Sequence, residues 1–215
     1  IHVRRTLKYE NNVNASTDTT KASVIITGTG EYKGSLSENF FTITPKSIKK
    51  LKVITGSKLI NSGNPSIIIY DGTTKLNNKD FTADYIDPQD PKKAKLTLTA
   101  KPNTNYTGSV TVKLTVYDVE KEYYINSAKI EITGDTTYTG KAITRNVKLT
   151  TRDGTELKNN KDYKVQYQNN VNYGSAIMII TGKGKYKGKF VGTFNIGKVD
   201  VNKSQYVTIA NISPK

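Results

Sequence analysis

The sequence predicts an all-β fold of tandem small β-sandwiches, and three observations lead there. Helical periodicity is nearly absent, whereas short apolar alternations punctuated by Gly, Asn and Asp recur throughout, the pattern of strands joined by tight turns. A glycine-tyrosine-glycine ending occurs as ITGTGEYKG at residues 26–34, as AKPNTNYTG at 100–108 and as ITGKGKYKG at 180–188. Its tyrosines, Tyr32, Tyr106 and Tyr186, stand 74 and then 80 positions apart, so the repeat is domain-sized.

Superposing the copies assigns the strands in chain order. The first copy opens inside a strand carrying Leu7 and Tyr9 and continues with Ala22, Val24 and Ile26, then Phe41 and Ile43. In the second, an Asp71-Gly72 turn precedes Phe81, Ala83 and Tyr85; the triplet Leu96, Leu98 and Ala100 matches Ala22, Val24 and Ile26, and Val110, Val112, Leu114 and Val116 close the unit. The third repeats the order with Asp153-Gly154, then Tyr163, Val165 and Tyr167, then Ala176, Met178 and Ile180, and finally Phe190, Gly192, Phe194 and Ile196. These alternating residues are expected on inner faces, with Ser23 and Ile25, Thr97 and Thr99, and Ile177 and Ile179 facing outward or toward a neighbour. Four to six strands per unit predict two facing sheets, immunoglobulin-like in architecture and repeated as an elongated array.

The boundaries that follow are a partial first repeat at 1–46 showing only its second half, a second repeat at 47–118, a third at 119–198, and a linker or the start of a further repeat at 199–215. The expectation is a piece of a longer array, the alternative being a structural unit permuted relative to the sequence repeat.

Composition excludes much chemistry. The 215 residues contain no cysteine and one histidine, His2, which removes thiolate zinc sites, cysteine nucleophiles and most histidine-dependent catalysis. A glycosidase needs two carboxylates about 5 to 10 Å apart in a cleft, and the acidic residues here are few and mostly beside turns or lysines. Asp71 with Asp80, or Asp153 with Asp162, lack the acidic spacing of a calcium loop and sit among Lys75, Lys79, Lys158 and Lys161. The glycines of TGTG and TGKG precede no Gly-Lys-Ser and no helix, so turn geometry accounts for them better than phosphate binding. No lysine alternates inward beside a buried acid, so an isopeptide crosslink is not expected. No catalytic, cofactor-binding or metal-binding residue is expected, and no cofactor.

Lys plus Arg number 33 against 18 Asp plus Glu, a net charge of +15. Such an excess attracts polyanions. Only Arg4, Arg5, Arg145 and Arg152 are arginines, however, and bidentate phosphate or guanine recognition is what arginine does best, so no specific nucleic-acid partner is expected. No window approaches the roughly 18 to 20 apolar residues of a membrane-spanning helix, and no basic-then-apolar leader opens the sequence, so a soluble chain without membrane insertion is expected. With several of the 14 tyrosines used on inner faces, Tyr123, Tyr124, Tyr138 and Tyr173 remain as candidates for a glycan or protein surface.

The third unit carries, in order, Tyr138, Thr139 and Gly140, then Asp153 and Gly154, Leu157, Asp162 and Tyr163, Asn169 and Asn170, Gly174, then Gly182, Gly184, Tyr186 and Gly188, and Phe194 with Ile196. This order resembles the MBG and YDG type β-rich repeats of large Gram-positive and related bacterial surface proteins. The middle unit departs from it, with AKPNTNYTG and IDPQDPKK replacing the glycines and the Asn-Asn turn, as does Arg145 where a proline is common. The resemblance implies an extracellular location, on a bacterial cell surface or secreted, and a stalk, spacer or adhesin role without catalysis. Partners would be neighbouring repeats of the same protein, with anionic glycopolymer, mucin or host glycan as further candidates. The alternative is a glycan, mucin or cell-wall polymer binding module, including one that decorates a phage virion surface.

Overall fold

The computed structural model describes residues 4–118 and 123–200; His2 and most of 199–215 lie outside them. About half of the described residues are strand, and the helix among them is two single-turn 3₁₀ helices at Ile48–Lys50 and Ile125–Ser127. The first stretch holds β1 (Arg5–Glu10), β2 (Ala22–Gly28) and β3 (Ser35–Phe41), an antiparallel sheet in that order. The middle stretch holds β4 (Lys46–Ser47), β5 (Lys52–Thr55), β6 (Ser57–Leu59), β7 (Ile67–Asp71), β8 (Thr74–Lys75), β9 (Phe81–Ile86), β10 (Lys95–Ala100), β11 (Tyr106–Thr107), β12 (Ser109–Lys113) and β13 (Thr115–Tyr117). They form the sheets β5–β7–β8 and β9–β10–β12 and two short parallel pairs, β4 with β11 and β6 with β13. The last stretch holds β14 (Tyr123–Tyr124), β15 (Lys129–Thr133), β16 (Asn146–Thr150), β17 (Glu156–Leu157), β18 (Tyr163–Gln168), β19 (Gly174–Gly182), β20 (Tyr186–Lys187) and β21 (Lys189–Ile196). Its sheets are β15–β16–β17 and β18–β19–β21, with β14 and β20 paired in parallel.

Turn chemistry places these strands where the sequence puts them. Asp71 pairs with Thr74 across a two-residue loop in which Gly72 takes φ +59°, and Gly154 takes φ +87° in the loop from β16 to β17. Both are conformations that cost glycine little. The residue after β1, β9 and β18 is left-handed in every case: Asn11 at φ 52°, Asp87 at 45° and Asn169 at 54°. Asn and Asp tolerate that region, so IDPQDPKK leaves its strand by the same left-handed step as the Asn-Asn copies despite its different sequence.

The pairing corrects one superposition. Gly28 N–H donates to Gly34 O, Gly182 N–H to Gly188 O, and Ala100 N–H to Gly108 O, each at 3.0 Å. Ala100 therefore corresponds to Gly28 and Gly182, not to Ile26 and Ile180, and the middle loop is two residues longer. The physical reason is contact: a Cβ on Gly182 would lie 2.6 Å from Tyr186 O, whereas the longer loop accommodates the methyl of Ala100. A second correction concerns the closing strand of the middle stretch. It breaks at Leu114, where β12 leaves the antiparallel ladder with β10 and β13 pairs in parallel with β6. Lys58, on β6, is also 2% exposed, an inward lysine that alternation did not identify.

Contacts gather the chain into two compact units that cut across the sequence copies. The first takes the residues up to Lys52 with Leu76–Ile86 and Lys95–Lys113; the second takes Val53–Lys75, Asp87–Ala94 and the chain from Leu114 onward. In the first unit Ala22, Ile48, Leu76, Leu96 and Leu98 are buried. The second unit has a core in which Ile125, Leu149 and Leu157 meet Tyr163, Met178, Ile180 and Tyr186, so that β15–β16–β17 covers one face of β18–β19–β21. The opposite face is covered as well. Ile177, Ile179 and Val191 cluster with Ile54, Ile68 and Tyr70 from β5–β7–β8. Hydrogen bonds fix this second contact: Tyr70 Oη donates to Ser175 O at 3.2 Å, and Ser66 Oγ to Val191 O at 2.9 Å.

Ile177→Ala should therefore lower stability by about 2 to 4 kcal/mol in urea unfolding followed by circular dichroism. Lys95→Ala, at the matching position on β10 where the side chain is exposed, should stay within about 0.5 kcal/mol.

Candidate functional site

The parallel pairing of β14 with β20 brings Tyr123 opposite Tyr186 and Tyr124 opposite Lys187. The rings of Tyr123 and Tyr186 meet edge to face with centroids 5.6 Å apart. Lys185 Nζ stands 4.9 Å from the Tyr123 ring centre and 5.2 Å from that of Tyr186, within the range of cation–π attraction. Two adjoining cavities of about 200 and 320 Å³ share Tyr123, Thr151, Arg152 and Tyr186 as walls. Leu157 and Ile125 close the apolar side of the first, and Asp153 and Lys185 line the second.

Each wall is held by local chemistry. Thr151, Asp153 and Thr155 form a turn in which Thr151 N–H donates to Thr155 O at 2.9 Å and Gly154 N–H to Thr151 O at 3.0 Å. The Asp153 carboxylate accepts the Thr151 hydroxyl and the Thr155 N–H, which hold its pKa below the usual carboxylate value. Asp80 and Asp162 are likewise engaged, accepting the backbone N–H of Asn77 at 3.0 Å and of Lys158 at 2.8 Å. These carboxylates shape loops, and among the described residues no group of three or more His, Cys, Asp or Glu gathers as a metal site would require.

The four tyrosine candidates separate. Tyr123 is 61% exposed at the mouth of the groove. Tyr124 borders the first cavity too, but its hydroxyl is engaged by Ser57 Oγ at 3.0 Å, its ring lies 5.7 Å from that of Tyr117, and burial pushes its pKa up to about 12. Tyr173 lines a separate hollow of about 280 Å³ with Asn169–Ser175 and Thr73, and Lys198 Nζ stands 4.9 Å from its ring centre. Tyr138 lines neither place; its N–H donates to Gly197 O at 3.0 Å.

Sequence reasoning missed Tyr186, Lys185 and Arg152 as groove residues. Tyr186 was already used by the repeated ending, and only the ladder position opposite Tyr123 would have revealed the pair. The groove offers an aromatic edge, two cations and hydroxyls, a set suited to a sugar ring or an anionic polymer. No protein-family model matches the chain, nor does any curated protein or solved structure.

Two outcomes test the local packing. Gly188 has φ +107°, and a Cβ there would lie 2.6 Å from the Tyr124 ring; Gly188→Ala should cost about 1 to 3 kcal/mol in thermal or urea unfolding. The Tyr124 phenol ionises harder folded than unfolded, so the stability it contributes is complete below its ordinary value of 10.0 and is lost as pH rises toward about 12. Burial also raises Tyr85 and Tyr163, so alkaline difference spectroscopy should show a group of late-titrating tyrosines from which Tyr124→Phe removes one.

Proposed function

We propose that this chain is a non-catalytic segment of a bacterial cell-surface protein, built of tandem β-sandwich modules and acting as a stalk, a spacer or an adhesin region. The observation that carries the reading is the double burial of β18–β19–β21, one face within its own module and the other under β5–β7–β8 of the preceding one. Modules joined through a shared apolar face behave as neighbours in a repeat protein, where stability is the sum of each core and the interfaces between them. Such coupling resists bending at the junction, which is what a spacer must do.

Matching short pairs support the same reading. The strand that opens each module pairs in parallel with its Gly-Tyr-Gly ending, as β4 with β11 and β14 with β20. Likewise Leu59 pairs in parallel with Tyr117, and Thr137 and Gly197, 78 and 80 residues further on, bridge in parallel. The resemblance of the motif order to surface repeats favours an extracellular location on the cell surface.

The groove at Tyr123, Tyr186, Lys185 and Arg152 favours a second reading, a module that holds an anionic glycan, mucin or cell-wall polymer, on a cell or on a virion.

A glycan array and mucin pull-down at physiological salt decide between them. A passive spacer binds nothing there. Exposed charges are screened over about 8 Å at that salt, so binding confined to low salt reports the lysine coat. Saturable binding that survives raised salt and falls about tenfold or more in Tyr123→Ala establishes the groove as a site and overturns the passive reading.

A further inference from the structure

We infer that the open face of β1–β2–β3 is a docking surface for the opening half of another module, a three-stranded sheet of the kind that residues 123–157 form.

Two independent features point to the same occupant. The first is the sheet face. Leu7, Ile26 and Leu36 stand in one cross-strand row, with Tyr9, Val24 and Glu38 in the next. Leu7 is 48%, Tyr9 52%, Leu36 54% and Phe41 42% exposed. Isolated exposed apolar residues are ordinary, but a contiguous row on one sheet marks a contact surface. In the last stretch the matching rows are Val165, Ile180 and Phe190, then Tyr167 and Met178. There Ile180 is fully buried and Met178 is 3% exposed, beneath Ile125, Leu149 and Leu157.

The second feature is a strand edge. Tyr32 and Lys33 occupy the place of Tyr106–Thr107 and Tyr186–Lys187, each of which pairs in parallel with the strand that opens its own module. Among the described residues no strand pairs with Tyr32 or Lys33. The loop is nonetheless set as in the last copy: Gly34 has φ +97° against +107° at Gly188, and the Gly28 to Gly34 hydrogen bond matches that of Gly182 to Gly188. In the last copy face and edge are both satisfied by one contiguous segment, residues 123–157, lying ahead of the sheet it covers. The occupant is therefore a segment of that type placed ahead of β1, with Ile or Leu at the positions of Ile125, Leu149 and Leu157.

This rests on the modular reading proposed above. The test reports on this face alone, so its failure leaves that reading to the glycan and mucin assay. Val165 matches Leu7, so grafting residues 119–158 directly ahead of Ile1 of the full chain restores the register. The graft is expected to slow amide exchange at Tyr32, Lys33 and β1 by about tenfold or more, and to cut fluorescence of a hydrophobic-surface dye to about half or less of the parent value. A graft carrying Leu149→Asp and Leu157→Asp in the added copy should return both readings to the parent's. Unchanged exchange and dye binding with the unsubstituted graft overturn the proposal. A concentration-dependent dimer of the parent chain in sedimentation, abolished by Leu36→Asp, also overturns it and assigns the face to a second copy.

Discussion

Strand β19 has no polar face, and much of the second unit's arrangement follows from that. From Ala176 to Ile180 five consecutive residues are buried, a run that requires cover on both sides of the sheet. Ile180 and Met178 are covered from within the stretch, Ile177 and Ile179 from β5–β7–β8. Each such aliphatic side chain stabilises by about 1.5 to 3 kcal/mol when fully buried, so the interface is of the same order as a small core. A segment built this way does not carry all of its stability internally. Loss of the preceding sheet would expose two isoleucines and a valine at once, and tyrosine Tyr70 would lose the carbonyl of Ser175 to which its hydroxyl donates.

The loops answer to a different constraint, the close approach of backbone to backbone at the repeated ending. A side chain at Gly182 would collide with the main chain of Tyr186, and one at Gly28 would lie 3.0 Å from that of Tyr32. The middle copy escapes by lengthening its loop by two residues, which lets Ala100 stand where the others need glycine. Within the last stretch, tyrosines then tie the two sheets together across the core: Tyr163 Oη donates to Val147 O at 2.8 Å and Tyr167 Oη to Arg145 O at 2.9 Å. These phenols combine a large apolar body with a satisfied polar tip, which explains why tyrosine is so abundant in a chain without tryptophan.

What could be read from the sequence was whatever has a period. Alternation identified Phe81, Ala83 and Tyr85, and likewise Tyr163, Val165 and Tyr167, as the more buried sides of β9 and β18, because a residue-by-residue flip is a signal of its own. The Asp-Gly turns were legible because few residues accept their backbone angles. The parallel pairs β4–β11 and β14–β20 were not legible. A two-residue strand has no period, and its partner lies about sixty positions away. For the same reason the groove was only half seen: Tyr123 was singled out as a leftover tyrosine, but its neighbours Tyr186 and Lys185 come from the far end of that pairing. The inward position of Lys58 was hidden too, since β6 is three residues long.

Which sheets stack is decided at very few positions. Ile177, Ile179 and Val191 correspond in the middle stretch to Lys95, Thr97 and Thr111, where the two threonine hydroxyls bond to one another at 2.9 Å. On the opposing surface, Ile68 and Tyr70 of β7 correspond to Lys148 and Thr150 of β16, and near the place of Ile54 stands Glu131, tied to Lys129 at 2.6 Å. Exposed ion pairs of this kind contribute little to stability. Their effect lies in what they forbid, because burying the Lys148–Glu156 or Lys129–Glu131 pair under another sheet would cost more hydration than the attraction within the pair returns. The same backbone thus presents an adhesive face in one copy and a solvated face in the next, and three side chains per face are enough to choose. The lysine excess that looked like a generic coat includes, at Lys95 and Lys148, exposed charges standing where Ile177 and Ile68 are buried.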